Sequence, residues 1–394
     1  MIYLDYAAST PVDEEILANY CNVESKYFAN ITAMHMLGQK ANYMYEQISQ
    51  DILKILGLPD HEVIYTSGAT EANNIGLFGI ANKYQSGTII TTKIEHPSVA
   101  EVMQSLENKF KVIYLDINSD GIINIDDFKN AISKDTILVS IMWVNNVIGT
   151  IQPIKDVIKI MKDYPKAKLL VDATQGIGKI RPDFNLADVD MFTFSTHKIY
   201  GPKGAGCLIK KKGIELLKYI QGSHSQHNLR PGTFDLALVS STGLAIKKCM
   251  SSIDSHYSYT KELYMYLYNS LSSIKEVVIN SPLKYNSFNC LNISIFNKGK
   301  FVKSETVLHY LEQKEIYVSI GSSCSSKLAK PESTILALTG DLDRSFSAIR
   351  ISISHLTTKE EIDTLIEALR KYGEVYVWYD FNSLWGNDFK KEKL

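Results

Sequence analysis

The chain has 394 residues, 45% hydrophobic and 22% charged, with 42 Lys plus Arg against 43 Asp plus Glu and a net charge of -1. That length suits two domains built on a large core, and the composition excludes a disordered chain. The balanced charge excludes the electrostatic footprint of a nucleic-acid or anionic-membrane binder. Five of the 42 basic residues are arginines: Arg181, Arg230, Arg344, Arg350 and Arg370. Where lysine is the default cation, an arginine marks a need for its planar, two-pronged fork.

Five cysteines, Cys21, Cys207, Cys249, Cys290 and Cys324, are an odd number without a C-x-x-C pair. They argue against a disulfide framework and a zinc site, and for a reducing compartment. The start, MIYLDYAASTPVDEE, lacks the basic and apolar regions of a signal peptide. The long uncharged run from 136 to 154 holds Asn145, Asn146, Gly149, Gln152 and Pro153, so it reads as a buried strand followed by a polar turn. A soluble, cytoplasmic protein is expected.

From about residue 60 to 210, short apolar runs alternate with helical stretches. Strands are expected at 62–66, 88–92, 111–115, 136–142, 168–172, 189–194 and 206–209, and helices at 70–84, 97–108 and 154–163. Most of the runs are apolar throughout, as in strands buried on both faces of a mostly parallel sheet. This is an α/β pattern, with functional residues expected at the carboxyl ends of the strands. After about residue 240 a long helix at 244–273 leads into 292–296, a helix near 304–313, strands at 315–320 and 348–354, and a helix at 358–372, which reads as a smaller α+β domain. The division expected is a large domain over 15–245, with 1–14 and 246–394 forming the small domain. The segment Asp116–Asp127 approximates a calcium-binding loop. A strand precedes it where a helix is required, and position twelve is Asp127 rather than Glu, so it reads as a turn before a helix.

Chemistry-bearing residues sit at the strand ends. Ser67-Gly68-Ala69-Thr70-Glu71 is a glycine turn opening a helix, which fits a phosphate cradle or a plain capped helix start. Glu95-His96-Pro97, Asn145-Asn146 and Asp172-Ala-Thr-Gln175 follow. Then comes Ser195-Thr196-His197-Lys198 before Gly201-Pro202-Lys203-Gly204. A lysine placed there can form a Schiff base. Pyridoxal phosphate needs such a lysine for its aldehyde, a carboxylate such as Asp172 for its pyridinium nitrogen, and phosphate donors such as Thr70, Ser195 and His197. Cys324 lies in the polar stretch Gly321-Ser-Ser-Cys-Ser-Ser, unlike Cys207 in its apolar run.

Together, YLDYAASTP, SGATEANN, EHPSV, SIMWVNN, VDATQGIGK, FSTHKIYGPKG, LRPGT, SIGSSCSS and SAIRISIS resemble the cysteine desulfurases. These are pyridoxal-phosphate enzymes of the class V aminotransferase group with the type I fold, and the pattern resembles the IscS/NifS-like branch. The segments run in family order from residue 3 to about 355. The resemblance implies a mostly parallel mixed-sheet large domain with a smaller α+β domain that carries Cys324 on a mobile loop over about 320–333. It implies that Lys198 binds the cofactor, Asp172 pairs with its pyridinium, and His96 stacks on the ring and assists proton transfer. Asn146 and Gln175 would bond near the phenolate oxygen and the substrate. Ala69, Thr70, Ser195, Thr196 and His197 would cradle the phosphate, with Thr233 completing the cradle from the second subunit of a homodimer. Arg350 would take the carboxylate of L-cysteine. Cys324 would receive the sulfur as a persulfide, pass it to an iron–sulfur scaffold or sulfur carrier, and at most ligate an iron–sulfur cluster transiently. No resident metal, nucleic acid or membrane is expected. A selenocysteine lyase, a class V aminotransferase or a non-catalytic sulfur relay are the alternatives, and Cys324 separates an aminotransferase from the rest. The chain departs from the family pattern at Trp143 and Val147, at Ser323, and across Gly222–Asn228, where a glycine-rich stretch is usual.

Overall fold

The apolar runs of the first half pair into one sheet because both of their faces have helices to pack against. The computed structural model describes residues 1–321 and 330–375. A short β1 (Ile2–Tyr3) precedes the seven strands of the main sheet: β2 (His61–Thr66), β3 (Thr88–Thr92), β4 (Lys111–Leu115), β5 (Thr136–Ser140), β6 (Lys168–Asp172), β7 (Met191–Ser195) and β8 (Gly206–Lys211). Their order is β2-β8-β7-β6-β5-β3-β4, parallel throughout except for β8, which is antiparallel to both neighbours. Every strand but β8 therefore ends at the same edge, where Thr66 and Ser195 both lie opposite Gly206.

Side-chain alternation divides the strand residues between two layers. Ile64, Ile89, Leu138, Leu170, Met191 and Leu208 face helices 69–81 and 97–106. Val63, Ile90, Val139, Val171, Phe192 and Ile209 face helices 36–55, 154–161 and the start of a 37-residue helix, Leu236–Ser272. That helix begins at Leu236 rather than at 244, because Asp235 caps it by accepting from the Leu238 amide at 2.8 Å. Its first part packs in the main core and its last part, Leu263 to Leu271, in a second core.

The second core covers one face of a mixed set of short strands: β9 (Val277–Ile279), β10 (Cys290–Asn297), β11 (Lys300–Phe301), β12 (Ile316–Tyr317), β13 (Ser319–Ile320) and β14 (Ile349–Ser352). Helices 304–312 and 359–375 flank them. The single strand expected at 315–320 is two: β12 pairs in parallel with β1, whereas β13 pairs with β14. Two sheets claim the two halves of one apolar run. The calcium-like segment is a turn closed by Asn118, and Asn124 caps the helix Ile125–Ala131 that follows. Among the described residues no helix is long and apolar enough to cross a membrane.

Leu267 is fully buried in the second core. Leu267→Ala should lower the unfolding free energy by about 2–5 kcal/mol, read from the urea midpoint at unchanged m-value.

Candidate active site

The edge where the parallel strands end gathers the residues singled out from the sequence. At the end of β2, Gly206 approaches the turn so closely that an added Cβ would lie 2.5 Å from Gly68 Cα. This backbone-to-backbone packing holds the start of helix 69–81, whose Ala69 amide donates to Ser195 Oγ at 2.7 Å. Glu71 reaches back to accept from the Ser67 amide at 2.6 Å, and Arg230 Nε donates to its other oxygen at 3.1 Å. The turn is thus a helix start closed by Glu71, with the positive end of helix 69–81 at this edge. Thr196 is set differently from its neighbours. Its hydroxyl is fully buried, 3.2 Å from the Thr242 hydroxyl on the long helix. Thr233 lines a cavity of about 120 Å³ with Thr66, Gly206, Arg230 and Thr242.

Asp172, at the end of β6, is held from both sides. Its Oδ2 accepts from Asn73 Nδ2 at 3.0 Å and its Oδ1 from the Thr174 amide at 3.0 Å. Asn73, fully buried, also donates to Ser98 Oγ at 2.9 Å and accepts from the Thr193 hydroxyl at 2.6 Å. His96 caps helix 97–106, its Nδ1 accepting from the Ser98 amide at 3.1 Å. That bond leaves Nε2 as the ring nitrogen that carries the proton. Burial pushes the imidazole below its ordinary range, partly offset by Asp172, so the ring is neutral at pH 7. His96, Ser98, Asn73 and Asp172 form one continuous network. Asn73 was not singled out from the sequence. Its signal was a polar residue inside an otherwise apolar helical face.

Lys198 follows β7 on a short helical turn, and its Nζ donates to the carbonyls of Ala7 and Ala8, both at 2.6 Å. Gln175 Nε2 donates to the same Ala7 oxygen at 2.9 Å, and Lys179 Nζ donates to Gln175 Oε1 at 2.6 Å. His197 Nδ1 lies 3.4 Å from Ser9 Oγ, and burial with the nearby lysines pushes its ring down to about 4. Tyr200 takes a left-handed φ of 65°, its amide fixed by Thr10 Oγ1 at 2.8 Å. Such a conformation at a bulky residue persists only where its surroundings enforce it.

Arg350, on β14, spans the two halves. Its NH2 donates to Asp5 Oδ1 at 2.8 Å and its NH1 to the backbone carbonyl of Asn146 at 3.0 Å. Its Nε is buried without a hydrogen-bond partner among the described residues. Asn145, beside Asn146, ties the loop together, accepting from the Val147 and Ile148 amides at 2.9 Å. Asp5 and Lys179 were likewise not singled out, although both stand in segments that carry the family resemblance.

Cys324 lies outside the described residues. Of the other cysteines, Cys207, Cys249 and Cys290 are buried. Burial pushes the Cys290 thiol up to about 11 and the Cys249 thiol up to about 12, which leaves them poor nucleophiles. Cys21 is exposed on helix 14–26. The Gly222–Asn228 segment is anchored by Gln226, whose side-chain amide accepts from the Tyr65 N–H at 2.6 Å and donates to the Tyr65 carbonyl at 2.9 Å.

The family model described as Aminotransferase class-V matches residues 2–365. Cysteine desulfurase IscS of Buchnera aphidicola subsp. Acyrthosiphon pisum is 36% identical over 392 residues, covering 98% of this chain and 95% of that protein. Cysteine desulfurase IscS of Actinobacillus succinogenes is 37% identical over 377 residues, covering 94% and 92%. Among solved structures, a NifS-like protein superposes with a TM-score of 0.86 at 31% identity, covering 94% of this chain and 98% of that one. SspA in complex with cysteine gives 0.78 at 28% identity, covering 91% and 100%.

Glu95 offers a test of the site's electrostatics. Its Oε1 accepts from the Thr92 hydroxyl at 2.8 Å and the Met142 amide at 3.0 Å, while Oε2 is buried without a partner among the described residues. Burial raises this carboxyl from 4.5 to about 8, so the folded state holds a proton that the unfolded chain releases. The stabilisation is complete below the unfolded value and is lost as pH rises toward about 8. Glu95→Gln should remove that dependence. Urea unfolding of the variant and the parent at several pH values should show the variant gaining relative stability as pH rises from about 5 to about 8.

Proposed function

This chain belongs to the class-V aminotransferases, and on that premise we propose that it works as a pyridoxal-phosphate-dependent cysteine desulfurase that leaves the sulfur of L-cysteine on Cys324. The observation that carries this reading is the gathering of Lys198, Asp172 and His96 at the carboxyl edge of the main sheet, with Arg350 of β14 close enough to act on His96. The residues present fit the cofactor: an amine at Lys198, an anchored carboxylate at Asp172, and polar side chains at Thr70, Ser195 and His197 beside a helix start, where the Ala69 amide holds Ser195 Oγ. A second copy would contribute Thr233 in a homodimer. When bound, pyridoxal phosphate supplies an electron sink for the substrate's Cα.

The protein's own groups do the rest. Lys198 holds the cofactor and moves a proton at the substrate. Asp172, its orientation fixed by Asn73 and the Thr174 amide, would pair with the pyridinium nitrogen. His96, neutral with its proton on Nε2, would stack on the cofactor and assist proton transfer. Gln175 and Asn146 meet the substrate side, and Thr196 braces the turn through Thr242. Arg350 takes the carboxylate of L-cysteine, and its Nε, without a hydrogen-bond partner among the described residues, supports that role. The Cys324 thiolate attacks the substrate sulfur; a sulfur–sulfur bond forms and the carbon–sulfur bond breaks. Its electron pair stays with the carbon, which takes a proton. L-Cysteine plus the Cys324 thiol thus gives L-alanine plus a Cys324 persulfide. The persulfide then supplies iron–sulfur assembly or a tRNA-thiolation carrier in the cytoplasm.

Mass spectrometry after L-cysteine treatment should show one added sulfur on Cys324. Cys324→Ser should lose it while keeping the cofactor's absorbance; unchanged sulfur delivery to a protein acceptor would refute the assignment. Arg350→Lys should raise KM for L-cysteine about 10- to 100-fold, the scale of roughly 1.5–3 kcal/mol for a charged hydrogen bond, with a smaller change in kcat.

A further inference from the structure

We propose that Lys179 is a positioning residue of this site, fixing the Gln175 amide and standing as a second cation beside Lys198. The inference rests on the reading of Lys198 as the cofactor lysine.

A side-chain amide has nearly the same shape at its oxygen and nitrogen ends, so its partners alone decide which way it points. Lys179 Nζ donates to Gln175 Oε1 at 2.6 Å. The Ala7 carbonyl can only accept, and it takes Gln175 Nε2 at 2.9 Å and Lys198 Nζ at 2.6 Å. The hydrogen bonds therefore converge on the Ala7 carbonyl, from Lys179 through Gln175 on one side and from Lys198 on the other, which fixes the Gln175 amide in one orientation. The turn that carries it is fixed as well. Ile177 and Ile180 bond back to Ala173 and Gly176, and a Cβ at Gly176 would lie 2.3 Å from the Trp143 ring. Lys179 is thereby held one helical turn from Gln175.

The charge adds a second consequence. Lys179 faces Lys198, Arg350 and Cys290. Lys198 in turn stands near His96 and His197, with Asp172 and Lys203 acting on those rings. Burial, and Lys198 after it, push the Lys179 ammonium down to about 7. Two amines in one cleft oppose each other's charge, the arrangement by which a neighbouring cation keeps a Schiff-base lysine nucleophilic.

The test compares the holoenzyme with its Lys179→Met, Lys179→Gln and Lys179→Arg variants. The readouts are the pH midpoint of the cofactor's visible band, the rate of cofactor loading after its removal, and KM against kcat. Lys179→Met should raise the midpoint by about one unit and slow loading. Lys179→Gln, which keeps a donor for Gln175 without the charge, should raise the midpoint equally and carries the test if the Met variant fails to fold. Lys179→Arg should restore both values. Midpoint and loading unchanged in folded Met or Gln variants would overturn the inference. A parent protein without a visible band, or one whose band survives Lys198→Ala, would instead overturn the reading on which it rests.

Discussion

The carbonyls of Ala7 and Ala8 are the point on which the arrangement turns. Lys198 donates to both and Gln175 to that of Ala7, although each lies far along the chain. The strap that presents them is fixed at both ends. Upstream, β1 pairs with β12, Leu4 sits in the second core, and the Ala7 amide donates to Ser352 Oγ at 2.9 Å. Downstream, Thr10 exchanges bonds with the His197 carbonyl and the Tyr200 amide. Asp5 on the same strap meets Arg350. One short segment therefore sets the distance between the lysine of the main sheet and the arginine of the smaller sheet. A shift of either core would pull on both.

The second constraint is how few charges are left uncompensated. Asp172 is satisfied by a buried asparagine and a backbone amide, and His96 is neutral. Glu95 holds a proton against Thr92 and Met142 instead of adding a second anion beside Asp172. In a low-dielectric setting a second carboxylate would oppose the first. The site keeps the carboxyl group for its hydrogen bonds and discards its charge.

The architecture was legible in the sequence wherever a single local signal decided it. Strands apolar on both faces announced a helix-covered sheet, and a lysine or aspartate at the end of such a strand had no structural reason to be there. What was not legible depended on partners distant in the chain. Nothing local marks Asp5 as the counter-charge of Arg350, Asn73 as the brace of Asp172, or Lys179 as the donor to Gln175. The split of 315–320 into β12 and β13 is of the same kind, since the break lies in which sheet each half joins. The scarce arginines divide likewise. Arg350 serves the site, while Arg181 makes a two-pronged bond to Asp254 at 2.7 and 2.8 Å and Arg344 reaches Asn280 and the Ile279 carbonyl. The fork is needed in each case, but only its surroundings say for what.

The hold of Gln226 on Tyr65 has a consequence for solubility. β2 is an edge strand of the seven-stranded sheet, and an open edge offers its unpaired N–H and C=O groups as a template for a foreign strand. Gln226 takes both groups of Tyr65 with one side-chain amide, as a neighbouring strand would. The Gly222–Asn228 segment thereby closes this part of the edge to a foreign strand.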